Sequence, residues 1–318
     1  MKEATSPSSE TVRIWGPASL SNLGPGFDTL GLCLRGPGDI VEAWLTEAPG
    51  VVVVTGEGSV NVSVPTDPTR NTAAWAASVV MEQAAATSGI TLCIRKGIPL
   101  GSGIGGSAAS AVAGAWAANA LLGYPFLKEA LVEAVLGGEK LASGTRHGDN
   151  VLPALFGGLI LVSPTEPSTY RRIVLPRPLS VAVILPRIEI FTGQARALLP
   201  GEVSFHDAIQ NAADLAFMLE AFRQGDWEAA GRHMMTDRLV EPVRAALVPC
   251  YDAVREAALG AGAYGCALSG SGPALFAITE TQALAEKVRE AMLAACRRDG
   301  IEAKGLVTEV DPDGVRTL

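Results

Sequence analysis

Apolar residues alternate with polar ones, or form short runs, in several segments bounded by glycine and proline, a pattern typical of β-strands. Such segments predict strands over residues 11–18, 38–47, 50–58, 90–98, 156–163, 171–187 and 303–310. Apolar positions at helical spacing predict helices over residues 71–89, 107–122, 127–144, 205–225, 226–235, 249–262 and 280–300. Residues 265–280 predict a strand, a glycine turn and a second strand. The chain is therefore expected to contain strands and helices in similar numbers.

The order of these elements indicates a domain organisation. Strands and helices follow one another without strict alternation, which favours two α+β domains over one parallel sheet. Asn71 is expected to cap the helix that follows it, and Gly137 and Gly138 are expected to break the third predicted helix. The composition changes near residues 163–168. We expect a disordered tail over residues 1–10, an N-terminal domain over residues 11–165 and a C-terminal domain over residues 166–318.

Composition excludes several classes of protein. The 318 residues are 48% hydrophobic and 18% charged, which supplies a large core and excludes general disorder. The formal net charge is −8, so the surface is not the basic one that nucleic-acid binding requires. The five cysteines are scattered and form no C-x-x-C pair, which indicates buried free thiols in a reducing compartment rather than a disulfide framework or a zinc site.

The distribution of apolar residues predicts neither a targeting segment nor a membrane span. The first ten residues are polar and lack the apolar centre of a signal peptide. The most apolar stretch, residues 151–162, is interrupted by Pro153, Gly157 and Gly158 and is too short to cross a bilayer. We expect a cytoplasmic protein without a membrane segment.

A glycine-rich loop, "PLGSGIGGSAAS" from Pro99 to Ser110, joins a predicted strand to an alanine-rich predicted helix. Glycine permits close backbone approach, and the free N–H groups of a helix start attract anions. The loop matches G-x-G-x-x-G, but the region about 20 residues on, where a dinucleotide fold places its acidic residue, is predicted helix. No lysine follows as a Walker A loop requires. From the loop alone, a phosphate site and a plain connection to a core helix stay equally open.

Further motifs resolve this choice through a resemblance. The loop resembles the P-x-G-x-G-L-G-S-S-A-A motif of the GHMP kinases, with Gly106 in place of the first serine and Ser107 at the second. Five other segments resemble homoserine kinase motifs in the same order: residues 20–34, 138–158, 191–200, 234–249 and 262–278. The lysine- or arginine-bearing N-terminal motif of mevalonate and galactose kinases is missing. The resemblance to the homoserine kinase family covers residue 12 to the end.

The resemblance implies a fold and an activity. The fold would be the two-domain α+β GHMP kinase fold, with a ribosomal-protein-S5-like N-terminal domain and a ferredoxin-like C-terminal domain. The activity would be ATP-dependent phosphorylation of the L-homoserine hydroxyl, a step of threonine biosynthesis, in a homodimer. The alternatives are another small-alcohol kinase of the superfamily and a non-catalytic ligand sensor with this fold.

The resemblance also implies a set of nucleotide and metal ligands. Those for ATP would be Asn71, Pro99, Gly101, Ser102, Gly103, Ile104, Gly105, Gly106, Ser107 and Ala108. Ser107 and Glu139 would bind Mg²⁺, which needs only one or two protein oxygens because it keeps several waters. Without the resemblance, Asn71 would be only a helix cap and Glu139 only a solvated helix carboxylate.

The implied substrate residues are Asn22, Asp28, His147, Thr192, Arg196 and Arg244. The two arginines would bind the substrate carboxylate, a bidentate contact that arginine suits, and Asp28 would face the ammonium or the hydroxyl. Asp28, Asn150 and Arg196 are the implied catalytic residues. No lysine partner for a catalytic base is evident, so positioning and charge stabilisation are expected to dominate. Ordinary surface ion pairs or a structural histidine are the alternatives for these side chains.

Overall fold

A computed structural model describes residues 10–190 and 192–318, without the side chain of Thr192. Its strands are β1 Val12–Asn22, β2 Gly26–Thr46, β3 Val51–Thr55, β4 Gly89–Arg95, β5 Leu159–Val162, β6 Tyr170–Ile173, β7 Ser180–Pro186, β8 Gly265–Leu268, β9 Leu275–Thr279, β10 Ala303–Glu309 and β11 Arg316–Thr317. Its helices are α1 Thr72–Gln83, α2 Gly106–Leu121, α3 Val132–Ser143, α4 Gly148–Phe156, α5 Thr192–Ala197, α6 Phe205–Gln224, α7 Trp227–Met234, α8 Glu241–Ala245, α9 Tyr251–Gly260 and α10 Gln282–Arg298.

The first sheet has the order β11-β1-β2-β4-β3, and β5 and β6 extend it from the other half of β2. Strand β2 is 21 residues long and pairs with β1 along most of its length. Its pairing is antiparallel throughout, whereas β3 lies parallel to β4. Helices α1 to α4 bury their apolar residues against this sheet in one continuous core.

The second sheet is antiparallel, with the order β10-β7-β9-β8. The chain sequence β7, helices, β8, β9, α10, β10 gives this sheet the ferredoxin-like topology. Helices α9 and α10 pack on one face. The other face shares a core with the first sheet, in which Leu20 and Leu32 of the first sheet join Phe276 of the second and Phe222 of α6. Among the described residues, no helix combines the length and apolar character needed to cross a membrane.

The change from the first sheet to the second falls later than residue 165. Strand β6 still pairs with β5, and the second sheet begins at Ser180. The predicted division at residues 165 and 166 lies in the connection between β5 and β6. Strand β11 then returns to pair with β1 of the first sheet. The predicted tail falls on residues 1–9, which lie outside the described residues, and on Glu10.

The predicted helix cap at Asn71 is confirmed, and the predicted helix break is wrong. The Asn71 side-chain oxygen accepts a hydrogen bond from Ala74 N at 3.0 Å. Helix α3 continues through Gly137 and Gly138. A Cβ at Gly137 would lie 2.6 Å from Trp75 Nε1, so the glycines let α1 pack closely on α3 instead of ending the helix. Helix α4 forms where no helix was predicted, with Pro153 inside it.

The alanine-rich helix α2 packs backbone to backbone against its neighbours. A Cβ at Gly16 of β1 would lie 2.1 Å from Ala109 O, and one at Gly114 would lie 2.2 Å from Ala73 O in α1. Such approaches exclude any side chain at these glycines, because real Cβ contacts are longer. The small side chains of α2 are therefore required by its position at the centre of the first domain.

A buried charged network fixes the start of α2. The Lys96 ammonium pairs with Asp39 and donates hydrogen bonds to Gly106 O at 2.9 Å and Ser110 Oγ at 3.1 Å. Asp39 accepts from Ser110 Oγ at 2.7 Å and from the backbone N–H groups of Gly97 and Ile98. The Lys96 and Asp39 side chains are 2% and 0% exposed. Strand β2, the end of β4 and the first turns of α2 are thereby held together.

Replacing Lys96 with Met should destabilise the protein strongly. The substitution leaves the buried Asp39 carboxylate without its counter-charge, which costs about 3–5 kcal/mol. Chemical denaturation gives the free energy of unfolding. The control is Arg187→Met, which breaks a pair with Glu302 whose side chains are 83% and 78% exposed and should cost less than about 1 kcal/mol. Equal losses in the two variants would contradict a structural role for the network.

Candidate active site

Most of the site residues predicted from sequence line one cleft between the two domains. They are Asn22, Asp28, Pro99, Gly101, Ser102, Gly103, Gly105, Gly106, Ser107, Ala108, Glu139, His147, Asn150, Arg196 and Arg244. The lining also contains residues that were not predicted: Ser21, Leu100, Asp149, Ile190, Gly270 and Ser271. The glycine loop forms one part of the lining and the charged side chains form another.

Three predicted residues do not contribute a described side chain to this cleft. Ile104 is fully buried in the core between the sheets, and its carbonyl accepts from Ser19 N at 3.2 Å. Asn71 uses both ends of its amide within the first domain, because it also donates to Pro65 O at 2.8 Å. The predicted Thr192 side chain lies outside the described residues.

Positive φ angles shape the glycine loop. Gly101, Gly103 and Gly105 have φ values of 63°, 81° and 69°, a region that favours glycine. A Cβ at Gly105 would lie 2.2 Å from Ser19 Oγ, so this position also needs glycine for space. No side chain caps the first turn of α2. The first residues of α2, Gly106 to Ala108, line the cleft, and the free N–H groups of a helix start suit a phosphate group.

Gly106, where the chain departs from the family motif, has no positive φ. A Cβ at this position would lie 3.2 Å from Ile98 Cγ2 and 3.6 Å from Lys96 Nζ. A serine would therefore fit if Ile98 shifted by a few tenths of an ångström. Glycine at position 106 avoids this close contact with Ile98. It also leaves the backbone N–H groups of the loop in place.

Two acidic side chains are buried beside the loop. Burial, and then the neighbouring Asp149, raises the pKa of Glu139 to about 8. Burial, and then Asp28, raises the pKa of Asp149 to about 7. Asp149 Oδ1 has no hydrogen-bond partner. Buried carboxylate oxygens of this kind are the ligands that a hard divalent cation prefers.

The Glu139 and Asp149 carboxylates are compatible with a cation that takes only one or two ligands from the protein. The described residues contain no group of three or more His, Cys, Asp or Glu side chains that could hold a metal ion. Mg²⁺ commonly uses one or two protein oxygens and completes its shell with water and phosphate. Glu139 and Ser107 therefore fit a magnesium ion shared with a nucleotide.

The turn between β1 and β2 is strained and carries charged chemistry. Asn22, Leu23 and Asp28 are non-glycine residues with φ values of 73°, 52° and 55°. Such strain concentrates at functional sites when the surroundings enforce it. The Asn22 side chain helps to hold this strained backbone. Its amide oxygen accepts from Asp28 N at 3.3 Å, and its amide nitrogen donates to Gly270 O at 3.1 Å.

Asp28 contacts both a guanidinium and an imidazole. Arg196 donates to both Asp28 carboxylate oxygens at 2.8 Å and lies 3.0 Å from His147 Nε2. Burial lowers the pKa of His147, although Asp28 opposes this effect. His147 is therefore expected to be neutral beside Arg196. Its ring nitrogens Nδ1 and Nε2 lie 3.1 Å and 3.0 Å from Thr145 Oγ1.

Phe27, which was not among the predicted site residues, contacts both predicted arginines. The guanidinium carbons of Arg196 and Arg244 lie 5.2 Å and 4.9 Å from its ring centroid. Cation–π attraction offsets part of the repulsion between two cations at one site. Arg244 is 3% exposed and donates to Gly270 O at 2.9 Å. Two arginines and Asp28 thus form a surface complementary to a carboxylate and an ammonium on one molecule. The sequence signal for Phe27 was its place next to Asp28 within the motif of residues 20–34.

Asn150 supports the loop from helix α4. Its amide oxygen accepts from Ser19 Oγ at 2.9 Å, and its amide nitrogen donates to Ser21 Oγ at 3.0 Å. A Cβ at Gly105 would also approach this oxygen, at 3.1 Å. The Asn150 amide therefore joins α4 to β1 directly beneath the loop.

The short helix α8 that carries Arg244 is anchored by a buried acid. Glu241 Oε1 accepts from Tyr251 Oη at 2.6 Å and from Leu268 N at 3.1 Å. Asp237 caps the same helix by accepting from Glu241 N at 2.6 Å. These contacts join α8 to α9 and to the end of β8. The orientation of Arg244 consequently depends on groups outside the cleft.

Comparison with known proteins gives consistent results for both domains. Residues 71–158 match the family model "GHMP kinases N terminal domain", and residues 218–298 match "GHMP kinases C terminal". The chain is 40% identical to the homoserine kinase of Pyrococcus abyssi over 283 residues, covering 87% of this chain and 92% of that one. It is 39% identical to the homoserine kinase of Pyrococcus furiosus, covering 94% and 98%. The crystal structure of the homoserine kinase from Cytophaga hutchinsonii superposes with a TM-score of 0.93 at 34% identity, covering 99% and 100%.

The buried Glu241 carboxyl predicts a specific pH dependence of stability. Burial raises its pKa to about 7 in the folded chain, against about 4.5 when exposed. The folded state thus retains a proton that the unfolded state releases, so stability falls as pH rises from about 4.5 to 7. Glu241→Gln should remove this loss, about 1–3 kcal/mol, from the pH profile of the unfolding free energy. The exposed control Glu302→Gln should leave the profile unchanged. An unchanged profile in Glu241→Gln would contradict a raised pKa.

Proposed function

Because this chain belongs to the homoserine kinase family of the GHMP kinases, we propose that it transfers the γ-phosphoryl group of ATP to the hydroxyl of L-homoserine. The products are ADP and O-phospho-L-homoserine. One observation carries this proposal above the others. A single cleft joins an uncapped helix start in a glycine loop to the cluster of Asp28, Arg196 and Arg244.

The glycine loop would bind the nucleotide phosphates through the backbone. The N–H groups at the start of α2 supply donors, and the helix dipole adds partial positive charge. Gly103 and Gly105 permit close approach because neither carries a side chain. The loop is held from below by Lys96 and from the side by Ser269 Oγ, which donates to Gly103 O at 2.7 Å. A rigid loop lowers the entropy lost when the phosphates are positioned.

The amino-acid substrate would bind at the charged cluster. Its carboxylate would accept hydrogen bonds from Arg196 and Arg244, and its ammonium would face Asp28. A zwitterionic substrate would replace the ion pair between Arg196 and Asp28 with two ion pairs. Its carboxylate would pair with Arg196 and its ammonium with Asp28, so neither side chain would lose its counter-charge. Asn22 fixes Asp28 in this position. Substrates without both charges would leave one of these groups desolvated and unpaired, which is costly.

Ser107 and Glu139 would hold Mg²⁺. The ion supplies neutralisation of charge on the transferred phosphoryl group. Glu139 suits this function because a nearby cation offsets the burial that raises its pKa. Asp149, which lines the same cleft and has an unpartnered oxygen, would be a second acid available to the ion or to the reacting hydroxyl.

We propose that positioning and electrostatics carry most of the catalysis. No lysine lines the described part of the cleft, so the lysine-assisted aspartate of some related kinases has no counterpart here. Asn150 would act by holding the loop and α4, since both ends of its amide are engaged. Arg196 and Asp28 would orient the substrate, with His147 neutral beside them.

The assembly and pathway stay predictions. A homodimer is expected from the family resemblance, and α6 offers exposed apolar side chains at Phe205, Ile209 and Phe217. A place in threonine biosynthesis and a cytoplasmic location are likewise expectations from the sequence.

The function can be tested by measuring ADP release with a panel of acceptors. L-homoserine should be phosphorylated, whereas shikimate, mevalonate and galactose should give no turnover above the rate without acceptor. Preference for another alcohol would favour the alternative of a different GHMP kinase. ATP binding without turnover on any acceptor would favour the non-catalytic sensor.

Arg196→Lys should raise the KM for L-homoserine about tenfold to hundredfold, while the KM for ATP changes little. Lysine keeps the charge but loses the planar pair of donors, and a charge-assisted hydrogen bond contributes about 1.5–3 kcal/mol. Steady-state kinetics with each substrate varied gives both constants. Arg187→Lys, at an 83% exposed side chain, is the matched control. An unchanged KM for L-homoserine would show that Arg196 does not contact the substrate.

Gly106→Ser should change the KM for ATP by less than about threefold, because the loop binds the phosphates chiefly through backbone N–H groups that glycine also has. Ser107→Ala is the contrasting variant and should lower kcat sharply at saturating Mg²⁺. A tenfold gain in ATP affinity in Gly106→Ser would reveal a weakened loop and support the sensor alternative.

A further inference from the structure

Two cysteines that are distant in sequence meet in the second domain. Cys250 immediately precedes α9, and Cys296 lies near the end of α10. Their Sγ atoms are 3.4 Å apart, and both residues are fully buried in the core between these helices and the sheet. The other thiols, Cys33, Cys93 and Cys266, are also free and buried.

The geometry of this pair is close to that of a disulfide. A disulfide bond is about 2.05 Å long, so the sulfurs need to approach by about 1.4 Å. Cys250 stands before the first turn of its helix, where no preceding helical turn restricts its side chain. Rotation of the two side chains with a small shift of the α9 start can supply the approach.

We propose that Cys250 and Cys296 form a reversible disulfide that joins the start of α9 to α10. With hydrogen peroxide as oxidant, the Cys250 thiolate attacks one peroxide oxygen and becomes a sulfenic acid, with release of hydroxide. The Cys296 sulfur then attacks the Cys250 sulfur, and the sulfenic oxygen leaves as water. In total, two thiols and one peroxide give one disulfide and two waters.

The position of Cys250 immediately before α9 assigns the two roles, because the start of a helix stabilises a thiolate. The Cys296 thiol donates its hydrogen bond to Cys250 Sγ. This hydrogen bond lowers the pKa of Cys250, although burial opposes it, and it raises the pKa of Cys296. A thiolate is the nucleophilic form of cysteine. Cys250 is thus the attacking sulfur and Cys296 the resolving one.

The disulfide would constrain the part of the chain next to the substrate arginine. It closes a loop between residues 46 positions apart. Cys250 adjoins Tyr251, which holds Glu241 and through it the helix of Arg244. Loop closure restricts the unfolded chain, so the oxidised protein should be the more stable form.

The test uses the full-length chain, purified under reductant and then treated with hydrogen peroxide or with oxidised glutathione. Thiols are counted after denaturation, and non-reduced tryptic peptides are identified by mass spectrometry. We expect the count to fall from five to three and peptide 245–255 to be linked to peptide 290–297. Dithiothreitol should restore five thiols. The oxidised sample should show a Tm higher by about 5 °C or more.

Single variants distinguish a disulfide between Cys250 and Cys296 from general oxidation of the cysteines. Cys266→Ala, at another buried thiol of the same core, should still lose two thiols and form the linked peptides. Cys296→Ala should form no linked peptide and show no rise in Tm. A urea-unfolded sample treated alongside confirms that the oxidant is active.

Other outcomes would overturn the proposal. Five remaining thiols in the folded protein, a link that includes Cys33, Cys93 or Cys266, or a mixed disulfide with glutathione as the sole product would each do so. None of these measurements depends on kinase activity, so failure here is distinct from failure of the proposed function.

Discussion

The close packing of α2 on its neighbours is the constraint from which the site follows. Glycines at positions 16 and 114 allow backbone contact with β1 and α1, and no larger residue would fit. The buried pair of Lys96 and Asp39 then fixes the first turns of the helix, through Gly106 O and Ser110. Because the helix cannot tilt or slide, its free N–H groups are presented to the cleft at one position. A phosphate site of this type is a consequence of core packing.

A glycine turn of the second domain, at Ser269 to Ser271, connects the parts of the site. Gly270 O accepts hydrogen bonds from both Asn22 and Arg244, one from each domain. Ser269 Oγ, in the same turn, donates a hydrogen bond to Gly103 O in the glycine loop. The turn therefore connects the glycine loop to the cluster of Asp28, Arg196 and Arg244. Phosphoryl transfer depends on the alignment of the two reacting groups, so the shared core between the sheets has a direct functional effect.

The cleft balances charges that would be unfavourable alone. Two arginines lie on one phenyl ring, and two acids are buried near each other with raised pKa values. The proposed zwitterionic substrate, nucleotide and divalent cation would together supply the missing counter-charges. Affinity for each ligand should consequently depend on the others, because every charge that binds reduces the desolvation cost of its neighbours.

Most strands and helices, the loop and the majority of the cleft residues could be predicted from the sequence, because these depend on local periodicity, capping and motifs of consecutive residues. The first half of β2 and the short strand β11 were not predicted, because they are defined by pairing with distant strands. The continuation of α3 through Gly137 depends on Trp75 across a helix interface and follows only from the packed structure. The same is true of the full engagement of the Asn71 amide by Ala74 N and Pro65 O, away from the cleft, of the contact of Phe27 with both arginines and of the meeting of Cys250 with Cys296. Each of these contacts joins residues that are distant in sequence, or uses hydrogen-bonding capacity that more than one partner could satisfy. Local patterns carry no information about such choices, which are made when the core packs.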